Sequence, residues 1–523
     1  MRIGIDLGTT FCCIAYIDEV GEPHIIPTSE RGETTPSVIW FNGKTAFVGD
    51  KANKKKLESG RNSSSIIEFV KRNMGAPVEE SPDSDEIPIP YDHIDGFKYG
   101  AEGMSAILLR KLKLNAIDYF KKQGLIDSLQ NERDIYLEAV ITVPAYFNDI
   151  QRKKTKLAGY AAGLNVKAII NEPTAAALSY PFPIGTRKKT IMVFDLGGGT
   201  LDVTILEFNG KEYNVITSEG VHQLGGKDWD ELIIDHLHYA YQCSTGKEIP
   251  EEMVFDIQKK SLEAKFSLSN QQEVTVSVYT DNNAVSTKLE RSVLRRGTII
   301  KKAETPIPPF YFETRASSLL SACRSLCLEV LQRAELEWFQ IDEIVLAGGS
   351  CRMPMVPKML RELSGKDVRT VIPGFDYDTA IAVGAAKYGK TGGSQIVNDV
   401  VSHSIGVKCF INNCPRIDYL IRKDTILPAV GESIYTASGQ GSLIEVYEGE
   451  SDLADECIKR GTLRLPQVDG KVTLIMNLDE NNILKVIADY PPYRQEMVFD
   501  SDDKDARRAI ELKEKVHAID IRN

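Results

Sequence analysis

The chain is poor in the features that mark secreted and membrane-spanning proteins. Its nine cysteines in 523 residues show no paired Cys-x-x-Cys spacing, which predicts reduced thiols in a cytoplasmic protein rather than disulfides or a zinc site. It has no run of about 18 or more apolar residues, so we expect no membrane span. The 63 lysines and arginines are outnumbered by 74 acidic residues, a formal net charge of −11. Because nucleic acids and anionic membranes select basic surfaces, neither is an expected partner.

Strand and turn signals indicate an internal repeat. Apolar segments at 3–5 and 190–194 each run into an Asp-Leu-Gly turn, a threonine and a returning strand. The recurrence of this unit after about 190 residues predicts two related lobes. Helical periodicity at 106–120 and 149–163 mixes with the strands, so the predicted lobes are α/β.

Composition predicts where the remaining segments begin and end. We assign residues 1–392 to the two-lobed domain, split near 190, and residues 393–399 to a linker. Short strand-like runs and turn signals over 400–500 predict an all-β module. The charged stretch 501–523 predicts a short, solvated helical stub.

One segment imitates a phosphate-binding loop. Residues 384–391 match the pattern G-x-x-x-x-G-K-[ST], but such a loop must follow a buried strand and open a helix. Here the match ends an alanine-rich helical pattern and runs into Gly-Gly-Ser. We therefore interpret it as a helix end and linker.

The repeated turns have the chemistry of a phosphate–metal site. Glycines let backbone N–H groups approach phosphate oxygens, and aspartates hold Mg²⁺ through its retained waters. A single Asp-Leu-Gly turn is equally explained as a tight turn with a capping aspartate. Two of them predict that Asp6 and Asp195 face one another across a cleft and share one metal–nucleotide complex.

Three further side chains are candidates for the same site. Lys71 would neutralise a γ-phosphate, although it is also explained as a surface lysine. Glu172 follows a predicted strand and would position water or a hydrated metal, or simply cap a helix. Arg352 would stack its planar guanidinium on a base, or lie in solvent.

Seven segments carry a more specific signal. They are IGIDLGTT (3–10), VITVPAYFND (140–149), INEPTAAALSY (170–180), VFDLGGGTLDV (193–203), LGGKDWD (224–230), VLAGGSCRMP (345–354) and LIEVYEGE (443–450). In this order they resemble the DnaK-type 70-kilodalton heat-shock chaperones, from residue 1 to about residue 500. The resemblance implies an α/β, actin-like, two-lobed ATPase domain followed by an all-β sandwich that binds extended peptides.

The resemblance also implies roles for individual residues. Nucleotide binding is implied for Gly8, Thr9, Thr10, Lys71, Gly197, Gly198, Gly199, Thr200, Gly225, Gly226, Lys265, Ser269, Gly348, Gly349, Ser350, Arg352 and Asp378. Catalytic roles are implied for Lys71, Glu172, Asp195 and Asp6, and metal binding for Asp6, Asp195 and Asp202. An interdomain relay is implied for Pro144, Arg152 and Asp399, and peptide binding for Val407, Phe410, Ala437, Ser442 and Ile444. The implied cofactors are ATP or ADP, Mg²⁺ and K⁺. The implied partners are unfolded polypeptides, a J-domain co-chaperone and a nucleotide-exchange factor.

Departures from the family pattern modify these expectations. Leu262 replaces a usual glutamate and Phe266 a usual cation or isoleucine, so we expect looser adenine contacts. The polar Asn398 ends a linker that is normally leucine-rich, so we expect weak docking and weak coupling. The long helical lid is missing, which predicts fast peptide dissociation.

Two alternatives from other functional classes remain open at this stage. One is a sugar or acetate kinase of the actin-like superfamily, which predicts no all-β module. The other is a specialised nucleotide-binding adaptor with weak ATPase activity.

Overall fold

A computed structural model describes most of the chain. It leaves undescribed residues 29–31, 60–64, 77–95, 184–187, 251–252, 280–283, 293–306, 308, 392–396, 412–413, 438–442, 466–469, 480–482, 499–502 and 523. Among the described helices, none combines the length and the apolar character needed to cross a bilayer.

The first α/β unit is built on a mixed sheet. Its elements are β1 (Arg2–Leu7), β2 (Phe11–Ile17), β3 (Pro23–Ile25), β4 (Thr34–Pro36), β5 (Ile39–Asn42), β6 (Thr45–Val48), α1 (Asp50–Ser59), β7 (Ile66–Ile67), α2 (Ala101–Lys122), β8 (Glu138–Val143), α3 (Asp149–Ala161), β9 (Asn165–Asn171) and α4 (Glu172–Ser179). The strand order is β3-β2-β1-β8-β9, with β4 beside β2. Ile3, Ile5 and Leu7 of β1 are buried, as expected for a central strand covered by helices.

The second α/β unit repeats this strand order. Its elements are β10 (Lys189–Leu196), β11 (Leu201–Phe208), β12 (Tyr213–Val221), α5 (Gly226–Thr245), α6 (Val254–Asn270), β13 (Glu273–Tyr279), β14 (Ala284–Glu290), β15 (Phe310–Tyr311), α7 (Phe312–Arg315), α8 (Ser317–Arg333), β16 (Glu343–Ala347), α9 (Met355–Ser364) and α10 (Ala380–Lys390). β10, β11 and β12 form an antiparallel meander, and β16 runs parallel to β10. β1, β2, β3 and β8 are connected in the same way, so the repeat in the sequence corresponds to a repeat in topology.

The segment that resembles a phosphate-binding loop is a buried helix. It lies within α10, which packs on β1, β2 and α4. Gly384 lies against the backbone of Ala175, where any side chain would collide with the backbone. The interpretation as a helix end is therefore confirmed.

The C-terminal β-unit consists of two antiparallel sheets around one core. Its elements are β17 (Val397–Asn398), β18 (Ile405–Ile411), β19 (Cys414–Ile421), β20 (Ala429–Ala437), β21 (Leu443–Glu448), β22 (Ile458–Arg464), β23 (Gly470–Leu478), β24 (Leu484–Tyr490) and β25 (Tyr493–Val498). The sheets have the orders β19-β18-β21-β22 and β20-β23-β24-β25. Alternate residues of both sheets, such as Val446 and Met476, fill the space between them. β17 stands apart and joins the second unit beside β12.

The last described segment is a helix followed by a strand, α11 (Asp503–Ala518) and β26 (Asp520–Arg522). The predicted helix is present, but the prediction that it is solvated is wrong. Leu512 and Val516 are fully buried, and both join the core of the first unit together with Ile519. These residues follow the i, i+4, i+7 spacing of an apolar helix face, which the surrounding charges hide in the sequence.

Candidate functional site

The two Asp-Leu-Gly turns meet in space. The first follows β1 and the second follows β10. Gly198 in the second turn lies against Thr10 in the first, so closely that a side chain at position 198 would overlap the threonine. Arg72 strengthens the junction, because its Nη2 atom donates a hydrogen bond to the Gly199 carbonyl at 3.0 Å. The predicted encounter of the two repeats is therefore present.

Four carboxylates surround one lysine at this junction. Lys71 is buried and forms an ion pair with Glu172, the first residue of α4. Asp6 ends near the same lysine from β1, and Asp195 approaches it from β10. Asp202, opposite Asp195 in the β10–β11 pairing, completes the cluster. The surface-lysine alternative for Lys71 is therefore wrong, since its side chain lies inside the cluster.

The cluster carries more negative than positive charge, and the pKa values respond. Burial raises the pKa of Asp6 well above its ordinary value, and Glu172 adds to the effect. Burial and Glu172 raise the pKa of Asp195 to about 7. The pKa of Asp202 rises for the same two reasons, with a contribution from Asp195. Burial alone would lower the pKa of Lys71, but the facing carboxylates outweigh it and the pKa is raised.

This charge balance fits a hydrated cation. One lysine does not neutralise four carboxylates, and Asp202 Oδ1 is buried without a hydrogen-bond partner. The Thr10 hydroxyl is buried and unpartnered as well. Within the described part of the chain, no three His, Cys, Asp or Glu side chains converge closely enough to coordinate a metal directly. The donors therefore fit an ion such as Mg²⁺ that keeps its waters and also binds phosphate.

The second unit adds a glycine-rich wall. The backbone N–H of Gly226, at the start of α5, donates to the Gly197 carbonyl at 3.0 Å. Lys265 of α6 donates to the Gly226 carbonyl and pairs with Asp230, both at 2.8 Å. The Lys227 N–H donates to the Gly198 carbonyl at 2.9 Å, so the start of α5 is fixed against the glycine turn. Gly225 packs on Gly199 so closely that only glycine fits there.

Glycine is also required at the turn after β16. Gly348 has φ of 79°, in the left-handed region. A side chain there would approach Asp195 Oδ1 to 2.6 Å. Ser350 anchors the turn, because its hydroxyl donates to the Gly197 carbonyl at 2.8 Å. The neighbouring Gly349 lies against Asp378.

Arg352 is held in place by an acidic clamp. Its Nη2 atom lies 2.7 Å from Asp376 and 2.8 Å from Asp378, and its guanidinium lies 5.3 Å from the Tyr377 ring centroid. The guanidinium is therefore held by two ion pairs, while 44% of the side chain remains exposed to solvent. Ser269 was expected to contact the nucleotide. Its hydroxyl donates to the Lys265 carbonyl of its own helix at 3.0 Å.

A cavity of about 60 Å³ opens beside the lysine. Its lining includes Thr9, Lys71, Arg72 and Thr200, together with three aromatic residues that sequence reasoning missed, Tyr146, Phe147 and His222. The ring centroids of Tyr146 and His222 are 3.9 Å apart. Tyr146 belongs to the VPAYFND segment, so its position after β8 was a usable signal. Arg72 and the clamp residue Asp376 were missed because their partners are distant in sequence.

Two of the three predicted relay residues, Arg152 and Asp399, are linked by hydrogen bonds through Asn171. Arg152 donates to the Asn171 side-chain oxygen at 2.6 Å, and the Asn171 amide donates to Asp399 at 2.7 Å. Pro144, the third predicted relay residue, lies in the turn after β8, where its carbonyl accepts from the Phe147 N–H at 3.1 Å. Because Asn171 immediately precedes Glu172, these hydrogen bonds link the start of the β-unit to the carboxylate cluster.

The linker docks on the second unit despite its asparagine. β17 runs parallel to β12, with Asn398 opposite Asn214. The Asn398 amide donates to the Asn214 side-chain oxygen at 2.6 Å. The Asn398 amide is therefore paired, and the expectation that it stays unpaired on docking is wrong. The preceding predicted linker residues, 393–396, lie outside the described part of the chain.

Buried ion pairs join the β-unit to both α/β units. Arg460 of β22 is only 2% exposed and pairs with Asp149 of α3 at 2.5 Å and with Glu448 at 2.8 Å. On the other side, Lys423 pairs with Glu219 of β12 at 2.8 Å. The β-unit therefore contacts both units in this conformation.

The predicted peptide-binding residues do not share one surface. Val407 and Ile444 are buried in the core between the two sheets, and Ala437 packs against that core. Phe410 is 74% exposed, and its odd spacing from Val407 on one strand places it on the opposite face. Ser442 lies outside the described residues.

Comparisons with known proteins agree with this architecture. The family model described as Hsp70 protein matches residues 2–512. The chain is 33% identical over 517 residues to the chaperone protein DnaK of Prochlorococcus marinus (strain MIT 9515), an alignment that covers 93% of this chain and 75% of the relative. The match spans the α/β units, the docked linker and the β-unit. The chain therefore belongs to the Hsp70 family and is an ATP-dependent, DnaK-type chaperone with ATPase activity.

Proposed function

We propose that the two α/β units are the lobes of an actin-like ATPase domain and that ATP binds where the two turns meet. The observation that carries the proposal is the carboxylate cluster around Lys71, contributed by both units. The glycine turns, which carry no side chains, would let the phosphates approach the backbone closely. Arg352 and its clamp lie beside Gly349 and would contact the base and ribose.

Hydrolysis then needs positioning rather than a covalent intermediate. Lys71 is placed to stabilise charge on the transferring phosphoryl group, and its pair with Glu172 fixes the ammonium. Glu172 is placed to orient the attacking water. Asp6 and Asp195, with Asp202, would hold hydrated Mg²⁺, which supplies charge neutralisation on the phosphates when bound. The negative charge of the carboxylates exceeds the positive charge of Lys71, which would favour binding of K⁺ beside the Mg²⁺.

We further propose that the β-unit binds extended apolar polypeptide segments and that nucleotide state affects this binding through the Arg152–Asn171–Asp399 chain. A J-domain co-chaperone and a nucleotide-exchange factor are the corresponding partners. A cytoplasmic location agrees with the nine unpaired thiols. Neither a small-molecule kinase nor a non-hydrolysing adaptor is favoured, because the Hsp70 match includes the β-unit.

Single-turnover ATP hydrolysis tests the assignment. Asp195→Asn should reduce the rate by about 10²-fold or more while the fold persists, because a preorganised charge in the site is lost. Asp118→Asn is the matched control, since Asp118 forms an exposed pair with Lys122 on α2 and should hydrolyse ATP normally. Equal rates for both variants would contradict the proposed site. Phosphorylated sugar or acetate among the products would instead indicate a kinase.

A further inference from the structure

The segment after the β-unit contributes to the core of the first α/β unit. Leu512 and Val516 are 0% exposed and Ile519 is 4% exposed, and all three belong to the cluster built on β1, β8, α2 and α3. Gly103 of α2 permits the close approach, because a side chain there would come within 3.2 Å of Leu512. The segment therefore fills the core of the unit instead of resting on a finished surface.

Polar contacts fix the same segment at both ends of α11. Near its start, Arg508 donates to the Lys98 carbonyl at 2.8 Å and pairs with the almost fully buried Glu102 at 3.3 Å. At its end, Arg110 Nη1 donates to the carbonyls of Val516 and Ile519 at 2.7 and 2.8 Å. Carbonyls at a helix C-terminus lack partners within the helix, so Arg110 satisfies groups that release would expose to solvent.

The chain then adds a strand to the first unit. β26 pairs in parallel with β6, with Asp520, Ile521 and Arg522 opposite Thr45, Ala46 and Phe47. Among the described strands, β6 otherwise pairs with β5 alone, in a sheet of order β26-β6-β5-β7, so β26 covers the edge of β6. Strand addition uses backbone hydrogen bonds, which depend little on side-chain identity.

The attachment limits how far the β-unit can move. Only four residues, 499–502, separate the end of β25 from the start of α11. A fully extended chain of this length reaches about 18 Å. At its other end the β-unit is held by β17, a two-residue strand whose side chains are only half-buried. Of the two attachments, the C-terminal one is the more deeply buried.

We propose that residues 503–522 form a permanent clasp, a part of the first α/β unit that keeps the β-unit within one short connection of that unit in every nucleotide state. Its release would uncover apolar core and leave Glu102 without its arginine, so opening the clasp amounts to local unfolding of the unit. Undocking at β17 would then move the β-unit by a swing about the clasp instead of a full separation. The proposal does not depend on the roles assigned to residues of the nucleotide site.

Hydrogen exchange on the full chain tests the clasp. In wild type, amides of β6 and β26 should exchange at the same rate, within about twofold, with ADP and with a non-hydrolysable ATP analogue. Val516→Asp should accelerate exchange in both strands by about tenfold or more. Ile510→Asp, at a position of the same helix that is 64% exposed, should leave it unchanged. Nucleotide-dependent exchange of β26 by about tenfold or more in wild type would overturn the proposal.

A second measurement covers the case in which Val516→Asp fails to fold. A protease site inserted between Val498 and Asp503 of the otherwise unchanged chain allows the connection to be cut after folding. The cleaved segment should remain bound to the first unit on gel filtration, and the linker amides at 397–398 should exchange faster than before cleavage. Dissociation of the cleaved segment, or unchanged linker exchange after cleavage, would contradict the clasp.

Discussion

Lys71 and Glu172 form an ion pair inside the carboxylate cluster, with both side chains almost fully withdrawn from solvent. The lysine follows β7 and the glutamate begins α4, so the pair joins two distant parts of the first α/β unit. A buried pair of this kind contributes little by its formation, but removing one partner is costly because the other charge is left unpaired.

Lys71→Met should therefore damage both stability and hydrolysis. We expect a loss of about 3–5 kcal/mol in the free energy of unfolding, together with a fall of about 10²–10³-fold in single-turnover rate. The stability loss should be larger at pH 8 than at pH 5, because burial raises the pKa values of Asp6, Asp195 and Asp202, and these carboxyls carry less negative charge at the lower pH. Denaturant unfolding at both pH values measures it. Lys122→Met, at an exposed lysine, is the control, and a loss of similar size there would contradict the interpretation.

The raised pKa of Asp195 predicts that nucleotide binding is linked to protons. Without nucleotide, the pKa of Asp195 is about 7, whereas a carboxylate that holds hydrated Mg²⁺ must be ionised. Binding of Mg-ADP should release about half a proton from Asp195 at pH 7 and close to one proton at lower pH, and affinity should fall by up to about tenfold per pH unit below 7. Calorimetric titration in buffers of different ionisation enthalpy measures the released protons. Asp195→Asn should remove its share of this pH dependence.

The same shift has a consequence for the stability of the nucleotide-free protein. A carboxyl whose pKa is raised on folding binds more protons in the folded than in the unfolded state between the two pKa values. The contribution of Asp195 to the free energy of unfolding is therefore greatest below about pH 4. This contribution is lost as the pH rises through about 7. The unfolding midpoint is measured between pH 5 and pH 7.5 for wild type and for Asp195→Asn. A midpoint that rises with pH, and rises by the same amount in both proteins, would contradict the expected destabilising effect of Asp195.

Local patterns predicted much of the site. Asp6 and Asp195 were identifiable because a strand, a glycine turn and a returning strand follow one another directly in the sequence. The Arg72 contact with Gly199 and the clamp of Arg352 by Asp376 depend on the folded chain, and no local pattern specifies them. The C-terminal helix was misjudged for a related reason: its apolar face is recognisable only against the surface it completes.

The linker pair predicts a measurable coupling between two asparagines. Asn398→Ala should weaken docking of β17 on β12, because it leaves the Asn214 side-chain oxygen without its 2.6 Å partner. A double-mutant cycle with Asn214→Ala should give an interaction free energy of about 0.5–1.5 kcal/mol. Amide exchange at residues 397–398 in the ATP-bound state reports the docking. A coupling indistinguishable from zero would show that the pair does not contribute.

An unstructured apolar peptide should stimulate ATP hydrolysis less than about tenfold. The linker asparagine cannot be the reason, since its amide is paired. The expected cause is the short connection of residues 499–502, because only four residues join the β-unit to α11 and limit how differently the β-unit contacts the two α/β units with and without peptide. Tenfold stimulation corresponds to roughly 1.4 kcal/mol of barrier.

Steady-state hydrolysis across a peptide titration tests this cause. It is measured with the connection intact and after the connection is cut between Val498 and Asp503, and only the cleaved protein should show greater stimulation. Strong stimulation of the intact chain would mean that the β-unit signals through small movements within reach of the clasp.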